Sequence, residues 1–307
     1  MIEEYENVLR AIREDNTSGA SELVHRAVQC LILFSETSKN PSPSRFKKDL
    51  LDFMQRLISS QPTMAPFLNL GNAVLMRIED AKDIEGIKEA IGEAAKAFVR
   101  GLREIPRRIA THAASLLSGK GGILTHSYSS TVFEAIRFAS NAGRSLNVIC
   151  TESRPALEGV NLAKKLASEG VKVHLILDSA APSLLRGVDL FLTGSDALSP
   201  LGLVNKIGTY GIATAARANG VPFYVLCGTD KILTEGLAEK LRIEQKDPGE
   251  VLQTPHPGME VINHYFDITP IEFLSGVITE EGVWQRDQLN RFVGGLRVCE
   301  ALREGWI

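Results

Sequence analysis

The chain has 307 residues and a formal net charge of −3 at pH 7, with 44% hydrophobic and 23% charged residues. It is long enough for one large or two ordinary domains, and its composition is not that of a disordered protein. The mild negative charge gives no support for a nucleic-acid partner or an anionic membrane surface, and no apolar run is long enough to span a bilayer. Four widely spaced cysteines, with no CxxC pair, favour reduced and buried thiols in a cytoplasmic protein.

Helical periodicity with few β-branched runs predicts a helical N-terminal domain over residues 1–118. Ser18 is the predicted N-cap of the helix that follows it, and Pro62 and Pro66 break the helical pattern further along. The predicted helices cover residues 20–36, 45–59, 67–77, 84–104 and 107–117. The ordinary role of such helices is packing in a bundle.

Short apolar strands alternate with helical patterns in the rest of the chain, residues 119–307. We predict strands over residues 123–126, 146–151, 171–177, 190–193, 223–227 and, more weakly, 264–267. We predict helices over residues 130–142, 159–169, 182–186 and 208–219. This alternation indicates an α/β fold, with the helical domain followed by a Rossmann-like, mostly parallel, doubly wound sheet. Apolar strands such as VHLIL (173–177) are expected to be buried on both faces.

Two phosphate-binding signatures are missing from this half. No GxGxxG follows the first predicted strand, and no Walker A motif is present. The sequence therefore argues against a dinucleotide, and we expect neither a cofactor nor a metal.

Polar residues follow the predicted strands, and the carboxyl ends of parallel strands meet at the rim where such sheets bind ligands. These residues are 126–129 (HSYS), 152–155 (ESRP), 178–179 (DS), 195–196 (SD) and 228–230 (GTD). A rim with cations, hydroxyls and carboxylates suits a polyhydroxylated, anionic metabolite.

Each of these residues also has a structural interpretation, and the sequence leaves the choice open. His126 is either a site residue or a hydrogen-bonded structural histidine. Glu152 and Arg154 are either site residues or a local ion pair of little net stability. The commoner role for a residue such as Asp178 is to cap the next helix.

The stretch 188–210 is either a ligand-binding edge or an ordinary strand, loop and helix with a solvated Asp196 and a surface Lys206. Its apolar start predicts a strand, and Asp196 follows where that strand ends. A loop containing proline and glycine is expected to lead to Asn205 and Lys206 and then to an alanine-rich helix. The N–H groups at the start of that helix, beside Lys206, favour an anion such as phosphate.

Several motifs together resemble the family of translation initiation factor 2B alpha, beta and delta subunits, which includes methylthioribose-1-phosphate isomerase and ribose-1,5-bisphosphate isomerase. The motifs are residues 124–129 (LTHSYS), 151–155 (TESRP), 194–196 (GSD), 205–209 (NKIGT) and 266–270 (FDITP). The resemblance implies a helical N-terminal domain, a Rossmann-like C-terminal domain and a dimer built largely through the latter.

In the isomerases of this family a cysteine and an aspartate form the catalytic pair, and the resemblance assigns the aspartate to Asp196. The cysteine position falls on Ser127, whose hydroxyl is a much weaker acid than a thiol. The isomerases carry arginines where this chain has Ser18 and Gln61, and a glutamine where it has Glu158.

The resemblance also implies a set of ligand-binding residues. In this chain they are Gly19, Ala20, His126, Tyr128, Glu152, Arg154, Asn205 and Lys206. Cys150, inside a predicted strand, is interpreted as a core residue and not as a substitute for the catalytic thiol.

Three functions follow from the resemblance and its departures. The first is a regulatory or otherwise diverged initiation factor 2B-like protein that binds a sugar phosphate or a related phosphorylated metabolite. The second is an aldose–ketose isomerase acting on a phosphorylated ribose, with Asp196 as base and His126 replacing the thiol. The third is a structural assembly subunit. In each case we expect a homodimer or a higher homo-oligomer.

Overall fold

The computed structural model describes residues 2–15, 18–39, 42–118 and 122–303, and it confirms the predicted fold class. A helical N-terminal region precedes a mostly parallel sheet. The helices of the first region are α1 (Ile2–Glu14), α2 (Ala20–Thr37), α3 (Pro43–Ser60), α4 (Ala65–Ile78) and α5 (Ile84–Ala113). The predicted domain boundary at residues 118 and 119 stays a prediction, because residues 119–121 lie outside the described ranges.

Side-chain caps fix the starts of two of these helices. The Ser42 hydroxyl accepts the Arg45 N–H ahead of α3, and Asp83 accepts the Gly86 N–H ahead of α5. The sequence predicted Ser18 as the N-cap of α2, and this prediction was wrong. Gly19 holds that position without a side-chain cap, because the Ser18 hydroxyl donates to Asp15 Oδ2 instead.

Helix α5 is a single helix, whereas the sequence predicted two helices separated near Pro106. A proline inside a helix removes one backbone hydrogen bond, but packing on both sides of it keeps this helix intact. Ile87 and Ile91, before the proline, pack in the helical core, whereas Ile109 and Ala113, after it, pack against the sheet. The proline therefore marks where α5 passes from one core to the other.

Seven strands form the main sheet in the order β10-β9-β7-β4-β1-β2-β3, and all neighbours are parallel except β9 and β10. The strands of the described chain are β1 (Gly122–Thr125), β2 (Asn147–Thr151), β3 (Lys172–Ile176), β4 (Leu190–Thr193), β5 (Ala197–Ser199), β6 (Gly202–Lys206), β7 (Phe223–Leu226), β8 (Phe266–Thr269), β9 (Gly276–Thr279) and β10 (Gly282–Trp284). The helices of this region are α6 (Ser130–Asn141), α7 (Glu158–Ser168), α8 (Ala181–Leu184), α9 (Thr209–Ala218), α10 (Glu235–Ala238), α11 (Arg286–Gly295) and α12 (Glu300–Arg303).

A second, three-stranded antiparallel sheet, β5-β6-β8, replaces the loop that was predicted between Asp196 and Asn205. The hairpin that joins β5 to β6 needs Gly202, whose φ is +148° and whose added Cβ would lie 2.7 Å from the Thr269 carbonyl oxygen. The weak strand predicted over residues 264–267 is β8, and it pairs with β6, not with the main sheet. Asn205 and Lys206 thus lie on a buried strand.

Strand β3 lies at the edge of the main sheet and is half exposed, so the expected burial of VHLIL on both faces was wrong. Leu175 and Leu177 are 49% and 60% exposed. Their apolar character predicted a central strand, but β3 has only one neighbour in the described sheet, β2.

The last described residues return to the helical region. Asn72 of α4 donates to the Arg297 carbonyl oxygen and accepts the Cys299 N–H, each at 2.8 Å. Cys299 and Leu302 are buried in the helical core. All four cysteines are free and buried, as the sequence predicted. Within the described ranges, no helix combines the length and the apolar character that crossing a membrane requires.

The start of α7 is pressed against the end of β2. A Cβ added at Gly159 would lie 1.9 Å from the Thr151 carbonyl oxygen and 2.7 Å from Ser153 Oγ. No side chain fits there, so Gly159 sets how closely Glu158, the first residue of α7, approaches the strand ends.

We therefore expect Gly159→Ala to lower the free energy of unfolding by about 3 kcal/mol, because the backbone of β2 would have to move. Urea unfolding followed by circular dichroism measures this. Gly92→Ala is the control: an added Cβ there meets no atom within 4 Å, and alanine inside α5 should raise stability by about 0.5–1 kcal/mol. Equal stability of the two variants would contradict the close contact at Gly159.

Candidate functional site

A polar cavity of about 80 Å³ lies between the helical region and the carboxyl ends of the main sheet. Its walls come from the start of α2, the loop after β1, the turn between β4 and β5, and strand β6. Seven of the ten predicted site residues line it: Gly19, Ala20, His126, Ser127, Tyr128, Asp196 and Asn205. Glu152, Arg154 and Lys206 do not.

The loop after β1 is held by hydrogen bonds in series. Asp178 accepts the backbone N–H groups of Ser153 and Arg154, each at 2.7 Å, and so anchors the loop after β2 instead of capping the next helix. Ser153 Oγ in turn accepts the Ser127 N–H at 2.8 Å. Ser127 and Ser153 both have left-handed backbones, with φ of 70° and 62°. Such strained residues cluster at functional sites, which supports Ser127 as a site residue.

His126 has both ring nitrogens occupied. Nε2 lies 2.9 Å from the Ile207 carbonyl oxygen, which can only accept, so Nε2 carries the proton and Nδ1 accepts from Thr151 Oγ1 at 2.6 Å. Burial lowers the pKa of His126, which favours the neutral ring. This geometry fits the structural interpretation of His126 and leaves neither nitrogen for proton transfer to a ligand.

Asp196 is fixed through its backbone and faces the cavity. Its N–H donates to the Val204 carbonyl oxygen at 3.0 Å, and its own carbonyl oxygen accepts the Ala65 N–H at 3.1 Å, so β6 and α4 both position it. Burial raises the pKa of its carboxyl group, Lys231 opposes that rise, and Glu158 adds to it. A carboxyl group with a raised pKa can donate as well as accept a proton.

Two lysines in the cavity wall were not predicted. Lys231 Nζ donates to the Ser195 carbonyl oxygen at 2.7 Å, and Lys246 Nζ lies 3.6 Å from Glu244 Oε2. Lys231 directly follows the polar residues after β7, so its position at a strand end was a usable signal. Lys246 lies between α10 and β8, in a stretch without a periodic sequence pattern.

Ser18 and Gln61 also line the cavity, but their side chains join helices. Ser18 donates its N–H and hydroxyl to Asp15, and Gln61 Nε2 donates to the Ile12 and Asp15 carbonyl oxygens at 2.7 and 3.2 Å. The positive end of α2 is therefore presented to the cavity by Gly19 and Ala20 without a side-chain cap or an arginine.

Lys206 lies behind the cavity wall. Its side chain is 2% exposed, and Nζ lies 2.7 Å from Glu158 Oε1 and 4.3 Å from the centroid of the Tyr265 ring. Asn205 Nδ2 donates to Thr209 Oγ1 at 3.0 Å. The ammonium group expected at an anion site is thus engaged by a carboxylate, whereas Glu158 itself lines the cavity.

The start of α9, where the sequence predicted an anion, is occupied by the protein's own carboxylate. Asp267 Oδ2 accepts the N–H groups of Gly208 and Tyr210 at 2.8 and 3.2 Å. The anion expected beside Lys206 therefore corresponds to Asp267. Asp196 lines the polar cavity, whereas the start of α9 binds Asp267 where the sequence predicted an external anion.

Glu152 and Arg154 form no ion pair in the described part of the chain; the Glu152 N–H donates to the Ile176 carbonyl oxygen, and Arg154 is exposed. Thr229 and Asp230, which also follow a strand, line a separate, mainly apolar cavity of about 370 Å³ against α4, α5 and α11. Of the polar residues after the strands, those after β1 and β4 line the polar cavity, Thr229 and Asp230 after β7 line the apolar one, and those after β2 and β3 line neither.

No cysteine occurs among the described residues that line the polar cavity. Cys150 lies inside β2, as interpreted from the sequence, and Cys227 follows β7. Burial raises the pKa of each thiol to about 12, so both are inert as acids or nucleophiles near neutral pH.

The fold and the cavity define an α/β protein with a polar cavity between a helical region and the carboxyl ends of a parallel sheet. The chain belongs to the Initiation factor 2 subunit family, whose model matches residues 16–286.

Three relatives illustrate the two branches of this family. The chain is 31% identical to a putative translation initiation factor eIF-2B subunit 2-like protein of Pyrococcus furiosus, over 90% of this chain and 94% of the relative. It is 30% identical to a ribose 1,5-bisphosphate isomerase of the same organism, over 92% and 91%. The solved structure of the translation initiation factor eIF-2B from Pyrococcus horikoshii OT3 matches it with a TM-score of 0.80 and 28% identity, over 93% of this chain and 98% of that structure. Sequence similarity therefore connects the chain to isomerases as well as to initiation-factor-like proteins.

Asp267 gives this region a testable pH dependence. Burial raises the pKa of its carboxyl group to about 6, against about 3.9 in an unfolded chain, although two N–H groups oppose the shift. A raised carboxyl pKa means that the folded state binds the proton more tightly. The contribution of Asp267 to stability is thus fully present below pH 4 and is lost as the pH rises to 6, on the order of 2 kcal/mol.

Thermal unfolding from pH 3.5 to pH 7.5 measures this effect in the difference between the native protein and Asp267→Asn, because other titrating groups cancel in that difference. Asparagine keeps an acceptor oxygen for the two N–H groups but does not titrate. We expect the relative stability of the native protein to fall between pH 4 and pH 6. A flat difference would show that the pKa of Asp267 is the same in the folded and unfolded states.

Proposed function

We propose that this chain binds a phosphorylated sugar in the polar cavity, as a diverged, regulatory member of its family. The observation that carries the proposal is that one side of the cavity is positively charged and the other carries a carboxyl group, an amide and hydroxyl groups. One wall has the uncapped positive end of α2, and Lys231 and Lys246 also face the same space. The other has Asp196, Asn205 and the hydroxyl groups after β1.

The phosphate group has a suitable partner at the start of α2. Backbone N–H groups and the helix dipole both favour an anion there, and lysine side chains add positive charge. Gly19 places no side chain at this helix start, and the Tyr128 ring lies beside it, 3.8 Å from where a Cβ would be. Tyr128 OH, in turn, is held by Lys165 Nζ at 2.8 Å.

The sugar hydroxyl groups have suitable partners at the strand ends. Asp196 offers a carboxyl group, and Ser127 and Ser129 offer hydroxyl groups that both donate and accept. Such a set of short polar side chains matches a polyol better than an apolar ligand.

A regulatory role is supported by the chemistry of the residues at the catalytic positions. Ser127 stands at the position of the catalytic cysteine, and none of the described neighbours is arranged to activate it. His126, the candidate replacement, holds Thr151 and Ile207 with its two nitrogens. In the isomerases that this chain resembles, a cysteine and an aspartate share the proton transfer, and of that pair only the aspartate, at Asp196, is kept.

Asp196 is also the observation that favours a second function, an aldose–ketose isomerase acting on a phosphorylated ribose. Its burial and raised pKa suit a group that carries a proton between two carbons. The similarity to ribose 1,5-bisphosphate isomerases is consistent with this alternative.

The two functions are separated by measuring binding and turnover on one protein. We expect calorimetry to detect methylthioribose 1-phosphate or ribose 5-phosphate but not ribose. Lys231→Met should lower the affinity for the phosphorylated sugar by about tenfold or more, since a charged contact contributes about 1.5–3 kcal/mol. Lys172→Met, exposed on β3, is the matched control and should change nothing.

Steady-state assays of the same sugars then decide between the candidates. Turnover that disappears in Asp196→Asn would establish the isomerase and refute the regulatory role. If phosphorylated and unphosphorylated sugars both fail to bind, neither function holds.

We also propose a homodimer or higher homo-oligomer, acting in the cytoplasm, where buried thiols stay reduced. The exposed Leu175 and Leu177 at the edge of the main sheet support association, because an apolar edge strand is a template for pairing. A structural assembly role alone would not require the polar cavity.

Light scattering after size exclusion tests this association. The double substitution Leu175→Lys and Leu177→Lys should convert the oligomer to a monomer, because it places charges on the edge. Leu201→Lys, at the β5–β6 hairpin and 50% exposed, is the control and should keep the native mass. An oligomer that survives the double substitution would locate the interface elsewhere.

A further inference from the structure

Glu158 differs from the other carboxylates of the cavity because it neutralises a lysine that has no other ionic partner in the described chain. Glu158 Oε1 lies 2.7 Å from Lys206 Nζ, and the Lys206 side chain is 2% exposed. Glu158 Oε2 is shielded from solvent and has no hydrogen-bond partner among the described residues. One buried positive charge is thus cancelled by a carboxylate that forms part of the cavity wall.

This ion pair changes the charge that a ligand meets. The pair is neutral as a whole, but only its negative end, Glu158, lines the cavity, so Lys206 offers a ligand no free positive charge. Glu158 and Asp196 also repel each other, and this repulsion adds to the rise in the pKa of Asp196 that burial causes. The sheet side of the cavity therefore carries two coupled carboxylates. Lys231, which also lines the cavity and donates to the Ser195 carbonyl oxygen, acts against this pair of negative charges by lowering the pKa of Asp196.

The start of α7 holds Glu158 in place. The residue lies in the first turn, where a carboxylate is favoured by the helix dipole. Gly159, whose position admits no Cβ, keeps this turn against the end of β2. Glu158 is accordingly fixed by the backbone on one side and by Lys206 on the other.

We propose that Glu158 limits the ligand of this cavity to sugars with a single phosphate group. This inference rests on the proposed sugar-phosphate site. The single phosphate binds on the side of the α2 start, and the sheet side takes the uncharged hydroxyl groups. A second phosphate on the sheet side would meet the carboxylates of Glu158 and Asp196, and like charges in a partly buried site repel strongly.

The test compares ribose 5-phosphate with ribose 1,5-bisphosphate by calorimetry at pH 8, where each phosphate monoester is dianionic. The native protein should bind the monophosphate about tenfold or more tightly than the bisphosphate. In Glu158→Gln, which keeps the shape but removes the charge and leaves Lys206 positive, bisphosphate affinity should rise about tenfold. Monophosphate affinity should change less than about threefold.

A matched control and a second variant keep the test decisive. Glu134→Gln removes a carboxylate of similar exposure, 22% against 20% for Glu158, that pairs with Arg137 away from the cavity; it should leave the preference unchanged. Glu158→Gln could fail to fold because it leaves the buried Lys206 unpaired. The double variant Glu158→Gln with Lys206→Met removes both charges of the ion pair, so no buried charge is left without a partner. That pair of changes should still shift the preference toward the bisphosphate.

Each outcome has one meaning. A preference that is the same in the native protein and in a folded Glu158 variant overturns this inference but leaves the sugar-phosphate site intact. A native protein that binds neither phosphorylated sugar overturns the site and the inference together. A monophosphate preference that shrinks about tenfold in the Glu158 variants alone supports both.

Discussion

The buried ammonium group of Lys206 is the constraint that the cavity depends on, because a charge removed from water needs an opposite charge beside it. Lys206 ends β6 and Glu158 begins α7, so their ion pair joins the small antiparallel sheet to a helix of the main sheet. The Tyr265 ring, 4.3 Å away, adds a weaker cation–π contact. Removing either charge alone would leave the other buried and unpaired, which typically costs about 3–5 kcal/mol. The ion pair proposed to set the ligand preference therefore also stabilises the fold.

The loops at the strand ends keep a strained backbone geometry. A left-handed non-glycine residue costs on the order of 1–3 kcal/mol, and both Ser127 and Ser153 are in that conformation. Asp178 accepts hydrogen bonds from two backbone N–H groups of the loop after β2. Hydrogen bonds to a charged group contribute about 1.5–3 kcal/mol each, which is enough to offset the strain. A loop stabilised in this way can position a ligand without taking part in proton transfer.

The sequence predicted elements best where one local signal decided them. The apolar run of β4 was predicted to the residue, and most helices were within two residues at each end. Strand β6 was missed because NKIGT reads as the approach to a helix, and its pairing with β8 is set by residues far away along the chain. Asp196 could be located from its strand end. The Glu158–Lys206 pair could not, because their side chains meet only after two sheets have packed together.

The contact of Asn72 with the backbone at Arg297 and Cys299 has a consequence for how the chain becomes a folded protein. During synthesis on the ribosome, α1 to α5 emerge first, yet their core also contains the side chains of Cys299 and Leu302, which are made long after α5 ends at Ala113. The core of the helical region therefore stays incompletely packed until the residues of the sheet have been translated. Such delayed closure places the last step of folding at contacts of very large sequence separation, which form slowly. During that interval the apolar surface of the helices that later contacts Cys299 and Leu302 is uncovered and accessible to chaperones.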